Sequence, residues 1–212
     1  MLKLLELKDE FRLVPLETFD HLNEDKYLKA QDKFRFRAYS TGNLVNSILK
    51  WKEENSSFLQ SKELNNYMGD VVRHFNQLPP RSKKYINIVI RSLFDSSTIP
   101  KANYEIGCHQ IRIIATDKFN GYPAPEGFHR DGFDYIAIHC AQLNNVNGAI
   151  SLVRSLDNKE KLYEHILLPS QIMVLNDNKV EHYITPITPK IPNKKAYRDI
   201  FVITFNKKEI FL

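Results

Sequence analysis

The chain has 212 residues and a mass of 24.8 kDa, with 42% hydrophobic and 26% charged residues, a net charge of +5 and a pI near 9.0. That is long enough for one domain with a substantial core, and the composition excludes disordered and collagen-like classes. No apolar run approaches the length of a membrane span, and two cysteines, Cys108 and Cys140, are too few for a disulfide scaffold, so a cytoplasmic protein with reduced thiols and no membrane partner is expected.

The N-terminal stretch MLKLLELKDEF is interrupted by Glu6, Asp9 and Glu10 and lacks the apolar region and cleavage site of a signal peptide. Residues 1–32 carry a weak mixed pattern. From Lys33 to Tyr39 the chain alternates cleanly, as a strand does. In the stretch 42–78, Leu44, Val45, Ile48 and Leu49 fit helical spacing, but the polar run at Asn55–Ser57 breaks it. Residues 80–95 give the clearest helix: Pro80 opens it, and Tyr85, Ile86, Val89, Ile90, Leu93 and Phe94 form one apolar face. Beyond residue 104 short strands are predicted at 104–115, 133–141, 148–155, 162–168, 171–175, 180–187 and 197–206, separated by turn sequences such as Asp157-Asn158 and Asn176-Asp177-Asn178. The pattern predicts a mainly β protein with supporting helices (α+β).

Seven histidines are present, and only His129 has an acid two residues on, in His129-Arg130-Asp131. About 0.8 such tripeptides are expected by chance from seven histidines and 25 acids, so the tripeptide alone carries little weight. Its context carries more. Gly127 and Gly132 flank it, and the apolar run Phe133–Ile138 follows. On a strand, positions i and i+2 share a face, so an imidazole and a carboxylate can take adjacent corners of a metal; a second histidine from a later strand, as in Val180-Glu181-His182-Tyr183-Ile184, completes a facial triad suited to non-haem Fe(II). In the last strand Arg198, Ile200, Val202 and Thr204 share a face. A guanidinium turned into a β core needs an anion, and a ligand carboxylate held bidentately would serve.

The order His-x-Asp, a distal histidine some fifty residues later and an arginine on the following strand resembles the Fe(II)/2-oxoglutarate-dependent dioxygenases. The segments Gly107–Arg112 and Pro125–Asp134 are similar to the bacterial branch that hydroxylates free L-amino acids, the L-isoleucine 4-hydroxylase-like proteins. The resemblance spans about 104–206 and continues weakly upstream through Phe58-Leu59-Gln60 and Val72-Arg73-His74-Phe75. It implies a double-stranded β-helix (jelly-roll) core over 104–206, supported by residues 1–103, within a single dioxygenase domain 1–212. It implies Fe(II) held by His129, Asp131 and His182, 2-oxoglutarate bound through Arg198, consumption of O2, and release of succinate and CO2. The expected partner is a small amino-acid substrate, not nucleic acid, and a homodimer is the expected assembly if the chain oligomerises.

Four further residues are candidates for substrate contact. Gln110 and Arg112 share a face with Cys108, with a structural salt bridge as the other reading of Arg112. Of the neighbours Asp134 and Tyr135, only one can face inward. The sequence departs from the family pattern at Asn147-Gly148-Ala149-Ile150-Ser151, which bears on the substrate-side wall. The interval from His182 to Arg198 is long and holds Pro186, Pro189 and Pro192. Either 42–78 or 186–196 is placed to close over the site. Competing readings are the same iron chemistry on a protein or nucleic acid, which the +5 charge favours, a non-catalytic cupin-like metal module, and a zinc hydrolase.

Overall fold

The computed structural model describes residues 1–28, 34–54, 57–64 and 69–208. Lys33 and Asn55, which took part in the sequence patterns above, lie outside them. In chain order the strands are β1 (Leu2–Glu6), β2 (Arg35–Val45), β3 (Ile48–Trp51), β4 (Ser57–Phe58) and β5 (Arg73–His74). Helix α1 (Pro80–Asp95) follows. Then come β6 (Tyr104–Ala115), β7 (Tyr135–Asn144), β8 (Val146–Gly148), β9 (Ile150–Ser155), β10 (Lys161–Ile166), β11 (Gln171–Asn176), β12 (Val180–Ile184), β13 (Ile187–Pro189) and β14 (Ala196–Lys207).

A seven-stranded sheet in the order β1-β11-β7-β14-β6-β2-β3 faces a smaller layer, formed by β10-β9-β12 and the ribbon β13-β8. From β6 onward the chain alternates between layers. Strands β7, β11 and β14 return to the large sheet, whereas β9, β10 and β12 lie in the small one. This winding is the double-stranded β-helix, or jelly roll. All pairings between named strands are antiparallel, so each inner face alternates with an outer one.

The outer face of the large sheet is covered by α1. Its first-turn proline needs no hydrogen-bond acceptor for a missing N–H. The apolar stripe Tyr85, Ile86, Val89, Ile90, Leu93 and Phe94 is buried. It packs with Ile106, Cys108, Ala137, Phe201 and Ile203 of the sheet. Between the layers, Ile136, Ile138 and Cys140 of β7 meet Val153, Met173 and Val180. Neighbouring residues of β7 therefore serve two different cores.

Three sequence expectations are corrected. Leu44, Val45, Ile48 and Leu49 form no helix but the β2–β3 hairpin, closed by Asn46 and Ser47 at φ 50° and 64°. In a two-residue hairpin, 45 faces 48 and 44 faces 49, which reproduces the spacing of one helical face. The single strand expected at 180–187 is two strands, because Pro186 lacks an N–H and the Thr185 hydroxyl instead accepts from the Ile150 N–H at 2.9 Å. Residues 1–103 do not merely support the sheet. β1 extends one edge through β11, and β2 pairs with β6 from Arg35↔Ile113 to Leu44↔Tyr104.

Candidate metal centre

His129 enters the small sheet through an isolated bridge to His182, with the two backbone amides donating reciprocally to the two carbonyls at 3.0 Å. The bridge brings the imidazoles together, with ring centroids 4.3 Å apart. Asp131 lies just beyond the bridge, in a loop and not on a regular strand. The loop is held by the buried Asp177 carboxylate, which accepts the N–H groups of Asp131 (3.3 Å), Gly132 (2.7 Å) and Phe133 (3.1 Å). Burial, reinforced by the Asp131 carboxylate, pushes Asp177 up to about 6 despite those three donors. Gly132 takes φ +87°, and a Cβ there would stand 2.4 Å from Leu64.

The three side chains converge. His182 Nε2 lies 3.6 Å from Asp131 Oδ2, and His129 Nε2 lies 3.8 Å from Asp131 Oδ1. One ligand atom from each residue falls within 4.8 Å of the others. His129 Nδ1–H donates to the Gly127 carbonyl at 2.9 Å, which leaves Nε2 as the lone-pair nitrogen aimed at the centre. Burial pushes His182 down to about 4, with His129 adding to the effect, so it is a neutral imidazole at pH 7. Burial also works against charging His129, but the Asp131 and Glu126 carboxylates hold it above its ordinary value. Gln60 Nε2 donates to Asp131 Oδ1 at 3.0 Å. Two imidazoles and one carboxylate meeting on one side of a cavity are the donor set of a facial triad.

Arg198 lines the same cavity. It is 0% exposed, and neither terminal nitrogen has a hydrogen-bond partner among the described residues. Burial pushes its guanidinium below the ordinary range. An isolated buried cation is costly, and a carboxylate ligand removes the cost by accepting both N–H groups. Ile200, Val202 and Thr204 line the cavity with it, on the face that alternation assigned them.

The four candidates for substrate contact lie elsewhere. Arg112 faces the outer side of β6, where Nε and Nη2 grip the fully buried Asp199 at 2.7 and 2.8 Å and Nη1 reaches Asp20. Gln110, on the same side, donates to the Thr18 hydroxyl at 2.8 Å. Their neighbours His109, Ile111 and Ile113 point into the cavity instead. Tyr135 packs in the α1-side core, and Asp134 accepts from the Lys207 amide at 2.7 Å; the inward residue of that segment is Phe133. None of the four therefore lines the cavity beside His129, Asp131, His182 and Arg198, where the substrate-contact expectation would put them. The interval before Arg198 is pinned, since Asn145 bonds Ile191 and Lys194, and the Asn193 amide donates to Asp117 at 2.6 Å. The unusual segment at 147–151 makes the corner between β8 and β9, with Gly148 at φ +88° against the Pro186 carbonyl, and it does not line the cavity.

Several cavity residues were not singled out as site residues in the sequence: Arg35, Arg37, His109 and Glu126. Glu126 Oε1 lies 3.3 Å from His129 Nε2. Gln60 and Arg73 fell only within the weak upstream resemblance.

A family model described as 2OG-Fe dioxygenase matches residues 16–204. The chain is 27% identical to the L-isoleucine-4-hydroxylase of Bacillus thuringiensis, over 97% of this chain and 91% of that one. It is 28% identical to the 3(1)-hydroxy-L-isoleucine 4-dioxygenase of Pantoea ananatis, over 90% and 83% respectively. The crystal structure of a BsmA homolog from Methylobium petroleophilum superposes with a TM-score of 0.77 at 25% identity, covering 94% of this chain and 81% of that one.

Proposed function

The chain belongs to the 2OG-Fe dioxygenase family, and from that premise we propose that it hydroxylates a free L-amino acid or a close analogue. One O2 is consumed: one oxygen atom enters the substrate C–H bond as hydroxyl, and the other ends in the succinate formed from 2-oxoglutarate as CO2 leaves. The observation that carries this reading is the His129–Asp131–His182 convergence beside Arg198, whose terminal nitrogens have no hydrogen-bond partner among the described residues. His129, Asp131 and His182 hold Fe(II), which supplies the oxygen chemistry when bound. Arg198 takes the distal carboxylate of 2-oxoglutarate. Gln60 keeps the Asp131 Oδ1 engaged on the His129 side, leaving Oδ2 turned toward His182. Apolar walls from Ile111, Ile138 and Val202 keep water from the reacting centre.

The amino-acid substrate is inferred from the two hydroxylase relatives. Among the described residues no helix is long and apolar enough to cross a membrane, and we place the enzyme in the cytoplasm, where the buried Cys108 and Cys140 stay as thiols. The same chemistry on a protein or nucleic acid has only the +5 charge in its favour.

The test begins anaerobically, with Fe(II) and 2-oxoglutarate added to wild type and to His182→Ala. A visible charge-transfer band in the wild type, absent from the variant, is expected. Succinate release is then screened across free L-amino acids, starting with L-isoleucine. A band without amino-acid-stimulated succinate would overturn the substrate class; no band in folded, metal-loaded protein would overturn the iron assignment.

A further inference from the structure

The cavity holds a second group of cations that the iron and 2-oxoglutarate roles leave unused. Arg35 and Arg37 project inward from β2, and Arg73 projects inward from β5. Arg35 lies opposite Ile113 of β6, and Arg198 lies opposite the same Ile113 from β14. The two arginines are thus two strand spacings apart, about 10 Å at the backbone.

The buried carboxylate serving this group is Asp25, whose Oδ2 is 2.8 Å from Arg35 Nε and 3.8 Å from the Arg37 guanidinium. Asp25 is thus the close carboxylate of Arg35 and Arg37, while Arg73 has no carboxylate within ion-pair distance among the described residues and is favoured by Asp25, Glu126 and Asp131 only at longer range. The other cavity acids, Glu126 and Asp131, face His129, at 3.3 and 3.8 Å from its Nε2. Arg37 is stacked over Phe75 (4.6 Å) and Phe58 (5.1 Å) and donates to the His109 ring, which burial keeps neutral. Arg73 is 2% exposed, lies over the Phe58 ring at 4.7 Å from its centroid, and donates from Nη2 to Gln60 Oε1 at 3.1 Å. Its Nε is buried with no hydrogen-bond partner among the described residues. Buried guanidiniums held rigid by aromatic faces, in excess over their carboxylate, form a prepared anion site.

We propose that Arg73, with Arg35 and Arg37 beside it, forms the subsite that binds the carboxylate of the substrate, separate from the Arg198 subsite for 2-oxoglutarate. This rests on the amino-acid hydroxylase reading and deepens it. Gln60 spans the two sites, accepting from Arg73 and donating to Asp131 at 3.0 Å, so the substrate head group sits one side chain away from an iron ligand.

The experiment uses full-length protein loaded with Zn(II) and 2-oxoglutarate, which binds without turning over. Wild type, Arg73→Gln, Arg73→Lys and Arg198→Gln are titrated calorimetrically with L-isoleucine, L-isoleucinamide and 3-methylpentanoate. Loss of a charge-assisted pair predicts that wild type prefers the acid to the amide by about tenfold or more. Arg73→Gln should abolish that preference while 2-oxoglutarate affinity stays within about twofold. Arg73→Lys keeps the charge but loses the fork, and should retain part of the preference, which separates the effect from misfolding. The proposal is overturned if the preference survives in Arg73→Gln, or if that variant loses 2-oxoglutarate as Arg198→Gln does. Binding of 3-methylpentanoate that depends on Arg73, with no binding of any amino acid, would keep the subsite and remove the amino-acid reading. No binding by any carboxylate would remove the subsite, leaving the substrate class to the succinate screen.

Discussion

Replacing Arg198 by Met separates the two consequences of a buried, unpartnered charge. In the ligand-free protein the guanidinium is 0% exposed and its terminal nitrogens have no protein acceptor among the described residues. Met fills nearly the same length without a charge to desolvate. Breaking an internal ion pair would cost about 3–5 kcal/mol, whereas removing an unpaired buried charge is neutral or stabilising. The ligand-free variant should therefore unfold in urea within about 1 kcal/mol of wild type, or at higher denaturant. The co-substrate complex should behave oppositely. Two charge-assisted hydrogen bonds to a desolvated carboxylate contribute about 3 kcal/mol or more, so 2-oxoglutarate affinity should fall roughly 10²- to 10³-fold. Equilibrium urea unfolding measures the first quantity, and anaerobic titration of the Fe(II) protein, read by the visible band, measures the second. An apo-protein destabilised by several kcal/mol would mean that Arg198 has a partner inside the fold. Unchanged 2-oxoglutarate affinity would remove it from the co-substrate site.

Arg112→Leu should cost about 3–5 kcal/mol in urea unfolding, because it strands the fully buried Asp199, while leaving the KM for substrate within about twofold in whatever molecules still fold; a selective rise in KM would return Arg112 to the substrate site. His139 is buried and neutral, accepting from the Tyr85 hydroxyl at 2.8 Å and donating to the Gln171 carbonyl at 3.2 Å, and burial holds it at about 4. Its folded value lies below the unfolded one, so the folded state binds fewer protons between them, and stability is lost as pH falls from about 6.5 toward 4. The stability difference between wild type and His139→Leu should shrink by about 3 kcal/mol across that window, and a constant difference would refute the assignment. His129→Ala and Asp131→Ala should each abolish stoichiometric Fe(II) binding, measured by elemental analysis, with near-ultraviolet circular dichroism unchanged; retention of iron by either would remove that residue from the ligand set.

Much of the fold was legible because its signals are local. The stripe of α1 and the alternation of β6, β7, β11 and β14 follow from side-chain period alone, and the inward set Arg198, Ile200, Val202 and Thr204 was read from that period. The His-x-Asp tripeptide, the distal histidine and the final-strand arginine were legible as an ordered series. What the sequence could not supply is which face of a doubly buried strand looks inward. Around the start of β2 the apolar Phe34, just before the strand, and Ala38 within it suggest the core and the arginines suggest solvent, yet both sets are buried, and the arginines face the cavity. On β6 the same ambiguity exchanged Arg112, which pairs with Asp199 outside, for His109 and Ile111 within. Periodicity fixes that two sets of side chains part company across a sheet, but only the packing of α1 on one side and the small sheet on the other decides which set meets the ligand. The joining of Asp25 to Arg35 and Arg37, of Arg73 to Gln60, and of Gln60 to Asp131 seventy-one positions away is tertiary for the same reason: the contacts that neutralise or expose a buried charge are made between separate segments, and no local pattern records them.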